Sequence, residues 1–361
     1  MGLFDLASQL ARPALFSFSP EKAHTLSIKA LKTGMVPGAS FAHDERLSVR
    51  LAGLKFPNPV GLAAGYDKNA EVPDAILKLG FGFTEVGTIT PLAQDGNPKP
   101  RIFRLVEDEG VINRLGFNNE GHDEALKRLE ARKHNSGILG VNIGANKTSQ
   151  DFVADYEKGI EKFFGVASYF TANISSPNTP GLRNLQAAEA LETLLNRIFD
   201  EVNACEEKTG KSVPVFLKIA PDLTEYEMDD IAEVVKKSHL DALIVSNTTL
   251  DRAGLKDQKQ ASEAGGLSGK PLFAKSTKVL ANMRQRLGPD MPLIGVGGIS
   301  SASDVIAKLE AGASLVQIYT GLIYEGPCLP TKIMEGLSAH LDQNKVANIS
   351  DIVGTKTDDW L

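Results

Sequence analysis

The sequence predicts an α/β fold in which eight short strands, each followed by a helix, close into a (β/α)8 barrel. Two observations carry this expectation. Short apolar runs bounded by turn residues alternate with helix-length segments eight times along the 361 residues. Polar residues able to do chemistry collect at the C-terminal ends of those runs, the face on which such barrels hold their sites. A doubly wound open sheet is the alternative, and the absence of a GxGxxG opening the first helix counts against it.

In chain order the strands are expected at Val60–Ala64, Phe83–Thr88, Ile138–Ile143, Phe170–Ile174, Val213–Ile219, Ala242–Ser246, Leu293–Val296 and Leu315–Tyr319. Helices are expected at Ala70–Leu79, Glu120–Lys133, Asp151–Phe164, Gln186–Cys205, Tyr226–Ser238, Pro271–Leu287, Ala302–Ala311 and Pro330–Leu341. The stretch Thr90–Asn119 is too long for a routine connection. Within it, "RIFRLVEDEGVINRLGFNN" alternates enough to predict a small hairpin over the barrel mouth.

Ahead of the barrel lies a helical pair. In Met1–Leu10 the apolar residues Leu3, Phe4, Leu6, Ala7 and Leu10 follow the spacing of one helical face. "SPEKAHTLSIKALKTG" then reads as a second helix, with Ser19 as N-cap, Pro20 in the first turn and Gly34 at the end. Residues 1–35 hold two acids and four bases, net +2 on a chain of net −6. Such a pair either packs on the barrel or lays its apolar face on lipid. The division expected is a helical pair at 1–38 and a barrel at 39–361, with the insert at about 90–119.

Apolar content of 42% with 23% charged residues suits a globular enzyme, and the acidic balance argues against nucleic acid as a partner. Two cysteines, Cys205 and Cys328, give neither a disulfide framework nor a zinc cluster. None of the six histidines lies in a strand-end motif or an HExxH pair, so no metal site is expected. No apolar run reaches the roughly 18 residues of a membrane-crossing helix.

The strand ends read "AAGYDKN", "EVGTITP", "VNIGANKTS", "NISSPNT", "LKIAPD", "VSNTT", "GVGGISS" and "YTGLIYEG". The glycine-bearing turns after strands seven and eight occupy the usual phosphate cradle of a barrel. Asn113, Asn142, Asn173, Asn178 and Asn247 suggest a planar ligand rich in donors and acceptors, such as a pyrimidine or a flavin ring. Lys68 and Lys218 add cations, as anion partners or as a Schiff-base nucleophile.

As a set, "AAGYDKN", "NRLGFNN", "VNIGANKTS", "NISSPNTPGLRNLQ", "LKIAPD", "SNTT", "GGLSGKPL", "GVGGISS" and "YTG" resemble the class 2, quinone-linked dihydroorotate dehydrogenases of pyrimidine synthesis. The resemblance runs in order from about residue 18 to 340. It implies FMN at the barrel mouth, lined by Ala63, Ala64, Gly65, Tyr66 and Asp67, with Thr88, Asn142, Asn173, Lys218 and Ser246. Gly269, Gly298, Tyr319 and Thr320 complete that lining, the last three near the phosphate. Dihydroorotate would be held by Lys68 at its carboxylate and by Asn113, Arg114, Leu115, Gly116 and Phe117, with Asn173, Asn178, Asn247 and Thr248.

Ser176 matches the family's catalytic base, taking a proton from C5 while the C6 hydride passes to FMN. Class 1 enzymes carry cysteine there, so Ser176 and the N-terminal helices both point to class 2. Thr179 or a water is expected to relay the proton, and Ser175 to be mainly structural. Many relatives have Thr where this chain has Ser246, which keeps the hydroxyl. His24, Arg104 and Tyr319 match positions along a quinone tunnel whose mouth the helical pair forms against the membrane. The implied location is peripheral, on the cytoplasmic face of a bacterial inner membrane. A class 1 enzyme, a Lys218 aldolase and a non-catalytic phosphate-binding barrel are the other readings.

Overall fold

The structure, a computed structural model, describes residues 13, 15–34, 38–39, 41–132 and 135–361. The expected first helical segment, Met1–Leu10, lies outside them. Eight strands form the barrel: β1 (Val60–Leu62), β2 (Phe83–Ile89), β3 (Ile138–Ile143), β4 (Tyr169–Asn173), β5 (Val215–Ile219), β6 (Ala242–Val245), β7 (Leu293–Val296) and β8 (Leu315–Ile318). They pair in chain order, all parallel, and β8 closes back on β1. Each expected strand is present, within two residues at either end. The fold is a TIM barrel.

The strands form where apolar runs are buried on both faces, as a helix-covered parallel sheet requires. β2, β4 and β5 are buried at every position. Helices cover the outside with one apolar stripe each. In the helix Ala188–Thr209, Leu191, Leu194, Leu195, Ile198 and Val202 face the sheet. Each such side chain contributes about 1.5–3 kcal/mol when fully buried.

The bottom of the barrel is filled by aromatic rings. Tyr169 and Phe216 stack with centroids 4.5 Å apart, and Phe83 meets Phe56 edge-on at 5.0 Å. Gly140 makes room for this floor, because a Cβ there would stand 2.1 Å from the Tyr169 ring. Phe56 arrives on an antiparallel hairpin, Val49–Leu51 and Leu54–Phe56, that sequence reading missed. Its turn, Ala52–Gly53, has positive φ at both residues (49° and 77°), the two-residue turn that suits a hairpin's twist.

Two structures cover the opposite, C-terminal end. Helix α1 (Pro20–Lys32) buries Ile28 and Leu31 and ends with Gly34 at φ +70°. Ser19 holds its N-cap position without a side-chain cap bond. Glu21 of α1 meets Arg101 at 2.7 Å, and Lys32 pairs with Glu71. The second is the insert, where Ile102–Leu105 and Gly110–Asn113 form the expected hairpin. A third strand, Gly266–Gly269, extends that hairpin into a sheet.

Candidate active site

The strand ends, α1 and the insert enclose one cavity of about 580 Å³. At its centre is the turn after β4. Asn173 ends that strand and donates from Nδ2 to Thr88 Oγ1 (2.9 Å), while its Oδ1 accepts from Ser175 Oγ (2.9 Å). Asn247 Nδ2 donates to Ser175 Oγ at 2.9 Å, so Ser175, fully buried, is consumed in holding the two asparagines together. Ser176, the next residue, faces the cavity instead and is 5% exposed. Its Oγ accepts from the Asn178 amide at 3.2 Å, and Asn178 Nδ2 reaches the Asn113 carbonyl. The two adjacent serines thus point to opposite sides, as an extended segment dictates.

Two lysines enter the cavity without a carboxylate partner among the described residues. Lys68 donates to the Gly65 carbonyl at 2.6 Å. Its pKa falls to about 8, chiefly through burial and then through Arg101, with Glu21 and Asp67 opposing. Lys218, 5% exposed on β5, makes no hydrogen bond to a described residue, and burial lowers its pKa against the pull of Glu85. Buried cations with so few protein contacts are set for an anionic or carbonyl-bearing ligand.

The turn after β7 and the strand Gly266–Gly269, to which Thr320 after β8 is tied through Ser268 (2.8 Å), form a glycine cradle. Gly298 adopts φ +79°, and a Cβ there would lie 2.5 Å from Phe273, where a helix begins. Gly269, at φ +90°, passes 2.3 Å (measured to a hypothetical Cβ) from the Glu109 carbonyl. The Gly298 amide donates to no acceptor among the described residues. A free amide, a helix N-terminus and space cleared by glycine make an anion site.

From the cradle an aromatic line leads to α1. Tyr319 meets Tyr66 edge-on at 5.9 Å, and Tyr66 meets His24 at 5.2 Å. The Tyr66 hydroxyl donates to Ser27 Oγ of α1 at 2.9 Å. Burial, followed by the charge of Lys68, lowers the His24 pKa to about 3, so the ring is neutral near pH 7. Arg104 donates to the carbonyls of Phe16 and Phe18 at 3.0 and 2.9 Å and lies over the Phe16 ring. This arm of the cavity is otherwise apolar, lined by Leu15, Ala23, Leu26 and Ala30.

Most of the expected residues line this cavity: Ala63, Ala64, Gly65, Tyr66, Leu115, Gly116, Phe117, Ser246, Thr248 and Thr320 join those above. Three do not. Asp67 turns its carboxylate to the amides of Glu71 and Val72, at 2.7 and 2.8 Å. Asn142 is held between Glu85 and Thr88 (2.7 and 2.6 Å). Arg114 reaches outward to Glu263 at 2.7 Å. Sequence reading also passed over Glu85 and Gln317. Glu85 is fully buried inside the barrel and accepts from Asn142, Tyr169, Thr171 and Gln317. Gln317 lines the cavity floor with its Oε1 unpartnered. A lone polar residue in an apolar strand, as in "FTEVGT" and "LVQIYT", was the available signal.

The model of the family described as dihydroorotate dehydrogenase matches residues 46–341. The chain belongs to the dihydroorotate dehydrogenase family. It is 62% identical over 358 residues to a dihydroorotate dehydrogenase (quinone) of Rhizobium etli, covering 99% of each chain. A Sinorhizobium medicae protein of the same name is 63% identical over 355 residues, covering 97% of each. Among solved structures, the Eimeria tenella enzyme in complex with ferulenol superposes with a TM-score of 0.90 at 42% identity, over 93% of this chain and 95% of that one. The ligand-free Eimeria tenella structure gives 0.89 at the same identity, over 93% of this chain and 99% of that one. Family membership makes this barrel an oxidoreductase.

Proposed function

We propose that this member of the family oxidises dihydroorotate to orotate in pyrimidine biosynthesis, with FMN as cofactor and a membrane quinone as final acceptor. The observation that carries the reading is the single cavity. It joins a serine-bearing polar pocket, a glycine cradle and an apolar arm under α1. The residues fit FMN: the cradle offers the unpartnered Gly298 amide to a phosphate, and Lys218 and Gln317 offer a donor and an acceptor to a polar ring. FMN, when bound, supplies the acceptor for the hydride leaving C6 of dihydroorotate.

The protein's own groups do the rest. Lys68 takes the substrate carboxylate, and Asn113, Asn178 and Asn247 take the ring amides. Buried amides left unpaired by a wrong ligand give selectivity. Ser176 Oγ accepts the C5 proton. It is held by the Asn178 amide and lacks a carboxylate or imidazole partner among the described residues. Passage onward through Thr179, which is 3% exposed three residues along the same turn, or through a water matches the need of so weak a base. Asn142 acts by holding Thr88, Asp67 by fixing the turn up to Val72, and Arg114 by tying the insert to Glu263. Along the apolar arm His24, Arg104 and Tyr319 border the route for the quinone.

Residues 1–38 are the membrane-facing unit in this reading, and the barrel 39–361 the catalytic one. No helix among the described residues is long and apolar enough to cross a membrane. Attachment is peripheral, on the cytoplasmic face of a bacterial inner membrane. The test is purification from detergent extract, an absorbance spectrum, and assays of dihydroorotate oxidation with a quinone, fumarate or NAD. A yellow protein that prefers quinone is expected. A colourless protein, or one served equally well by fumarate, sinks the reading.

A further inference from the structure

Behind the glycine cradle lies a lysine that the reaction does not use. Lys308, on the helix Ala302–Glu310 after β7, has no exposed surface. Its Nζ donates to Ser276 Oγ at 2.6 Å and stands 5.1 Å from the centre of the Phe273 ring. No carboxylate pairs with it among the described residues. Asp304, one turn earlier, is engaged by the amide and hydroxyl of Ser300 at 2.9 and 3.1 Å. A buried ammonium with one neutral hydrogen-bond partner is costly unless something beyond the protein compensates it.

The geometry beyond Ser276 names what that is. Ser276 Oγ has one proton to donate and shares it between the Gly297 carbonyl and the Phe273 carbonyl, each at 3.1 Å, so the relay to the cradle runs through the Gly297 branch. The Gly297–Gly298 peptide is trans, so its carbonyl and the Gly298 N–H point in opposite directions. The carbonyl faces Ser276 and Lys308, and the N–H faces the cradle, where it has no protein acceptor. Charge on Lys308 therefore polarises a chain of ammonium, hydroxyl and peptide that ends in the donor offered to the ligand. Hydrogen bonds in such chains strengthen one another in a low-dielectric interior.

We infer that Lys308 is a positioning residue for the cofactor phosphate, acting through Ser276 and the Gly297–Gly298 peptide as a buried counter-charge. The inference rests on the proposal that FMN places its phosphate in the cradle. Burial pushes the Lys308 pKa well down against the pull of Asp304, and a phosphate at the cradle favours the charged form.

Riboflavin, which lacks the phosphate, separates this role from general support of the fold. Purified holoenzymes of the wild type, Lys308→Met and Ser276→Ala are titrated with riboflavin, and displacement of bound FMN is followed by fluorescence. In Lys308→Met the preference for FMN over riboflavin is expected to fall about tenfold or more, and in Ser276→Ala by about threefold or more, the scale of charged and neutral hydrogen bonds. The 31P resonance of bound FMN should shift in both. A preference within twofold of wild type in Lys308→Met overturns the inference, since a structural lysine weakens both flavins alike. If Lys308→Met does not accumulate folded, an unchanged preference in Ser276→Ala overturns it. A wild type without flavin overturns the cofactor proposal instead.

Discussion

Arg183 joins the turn carrying Ser176 to Asp222, with Nη1 3.2 Å from the Asp222 carboxylate. The same guanidinium donates to the carbonyls of Ser175 (3.0 Å) and Thr248 (3.1 Å). Asp222 is held in turn by the Leu250 amide at 2.9 Å and by Lys275 at 3.0 Å. Three loops, after β4, β5 and β6, are thus clasped around one side chain. Arg183→Met is expected to keep the flavin but lower kcat/KM for dihydroorotate by roughly 10- to 100-fold, the cost of misplacing reacting groups by about 1 Å. An unchanged kcat/KM would show that the turn holds its shape without the clasp.

Ser176→Ala is expected to retain FMN and lose roughly 10²–10⁴ in the rate of flavin reduction by dihydroorotate, the usual worth of a general base. Ser175→Ala should act differently. It removes the hydroxyl that accepts from Asn247 Nδ2 and donates to Asn173 Oδ1, leaving Asn247 only its 3.4 Å bond to Asn173 Oδ1, so the expected result is a loss of roughly 1–2 kcal/mol of stability in thermal unfolding. Near-normal single-turnover reduction in Ser176→Ala would remove that residue from the role.

Lys68 gives a pH dependence. It carries its charge below a pKa of about 8 and loses it above, so carboxylate binding is lost on the alkaline side. kcat/KM for dihydroorotate should fall about tenfold per pH unit once that pKa is passed. Lys68→Met should have a low kcat/KM without this alkaline limb. Persistence of the limb in the variant would assign it to another group.

His122 gives a second one, in stability rather than activity. It is buried against Phe163 with Nε2 unpartnered, and burial lowers its pKa from 6.5 to about 4. Between those values the unfolded chain binds a proton that the folded protein refuses, so stability falls as pH drops from about 6.5 towards 4. The loss from this group approaches about 3 kcal/mol at the acid end. His122→Phe should flatten that part of the profile in urea unfolding. An unaltered acid limb would mean that other groups dominate it.

Glu21 tests the roof. Glu21→Ala removes the pair with Arg101, which is 5% exposed, and frees α1 at its first turn. The expected outcome is a raised KM for quinone with flavin reduction by dihydroorotate near normal. Equal effects on both half-reactions would place the pair in the polar pocket instead.

The barrel was readable because each of its strands is a local apolar run between turn residues. The strand Gly266–Gly269 was not, since "GLSG" has no pattern of its own and pairs with Gly110–Asn113, far away in the chain. The helix expected from Ala70 starts at Pro73, because Ala70 takes φ +56° while Asp67 holds the turn through backbone amides. The polar burst at Asn173–Asn178 was legible as cavity lining, down to which serine faces inward. Side-chain direction decided the rest. Asp67 and Asn142 sit in the right motifs but point at the protein, and that depends on neighbours from other strands.

Two parts of different origin border the cavity. One is the turn of Ser176, clasped from behind by Arg183, and the other is α1, held at its edges by Glu21 and Lys32. The two share no residue. They can therefore change apart, since a substitution along α1 leaves the hydrogen bonds of the clasp in place. A compound lodged under α1 meets an apolar wall held by two ion pairs, and one lodged against Ser176 meets a turn fixed by hydrogen bonds from three loops.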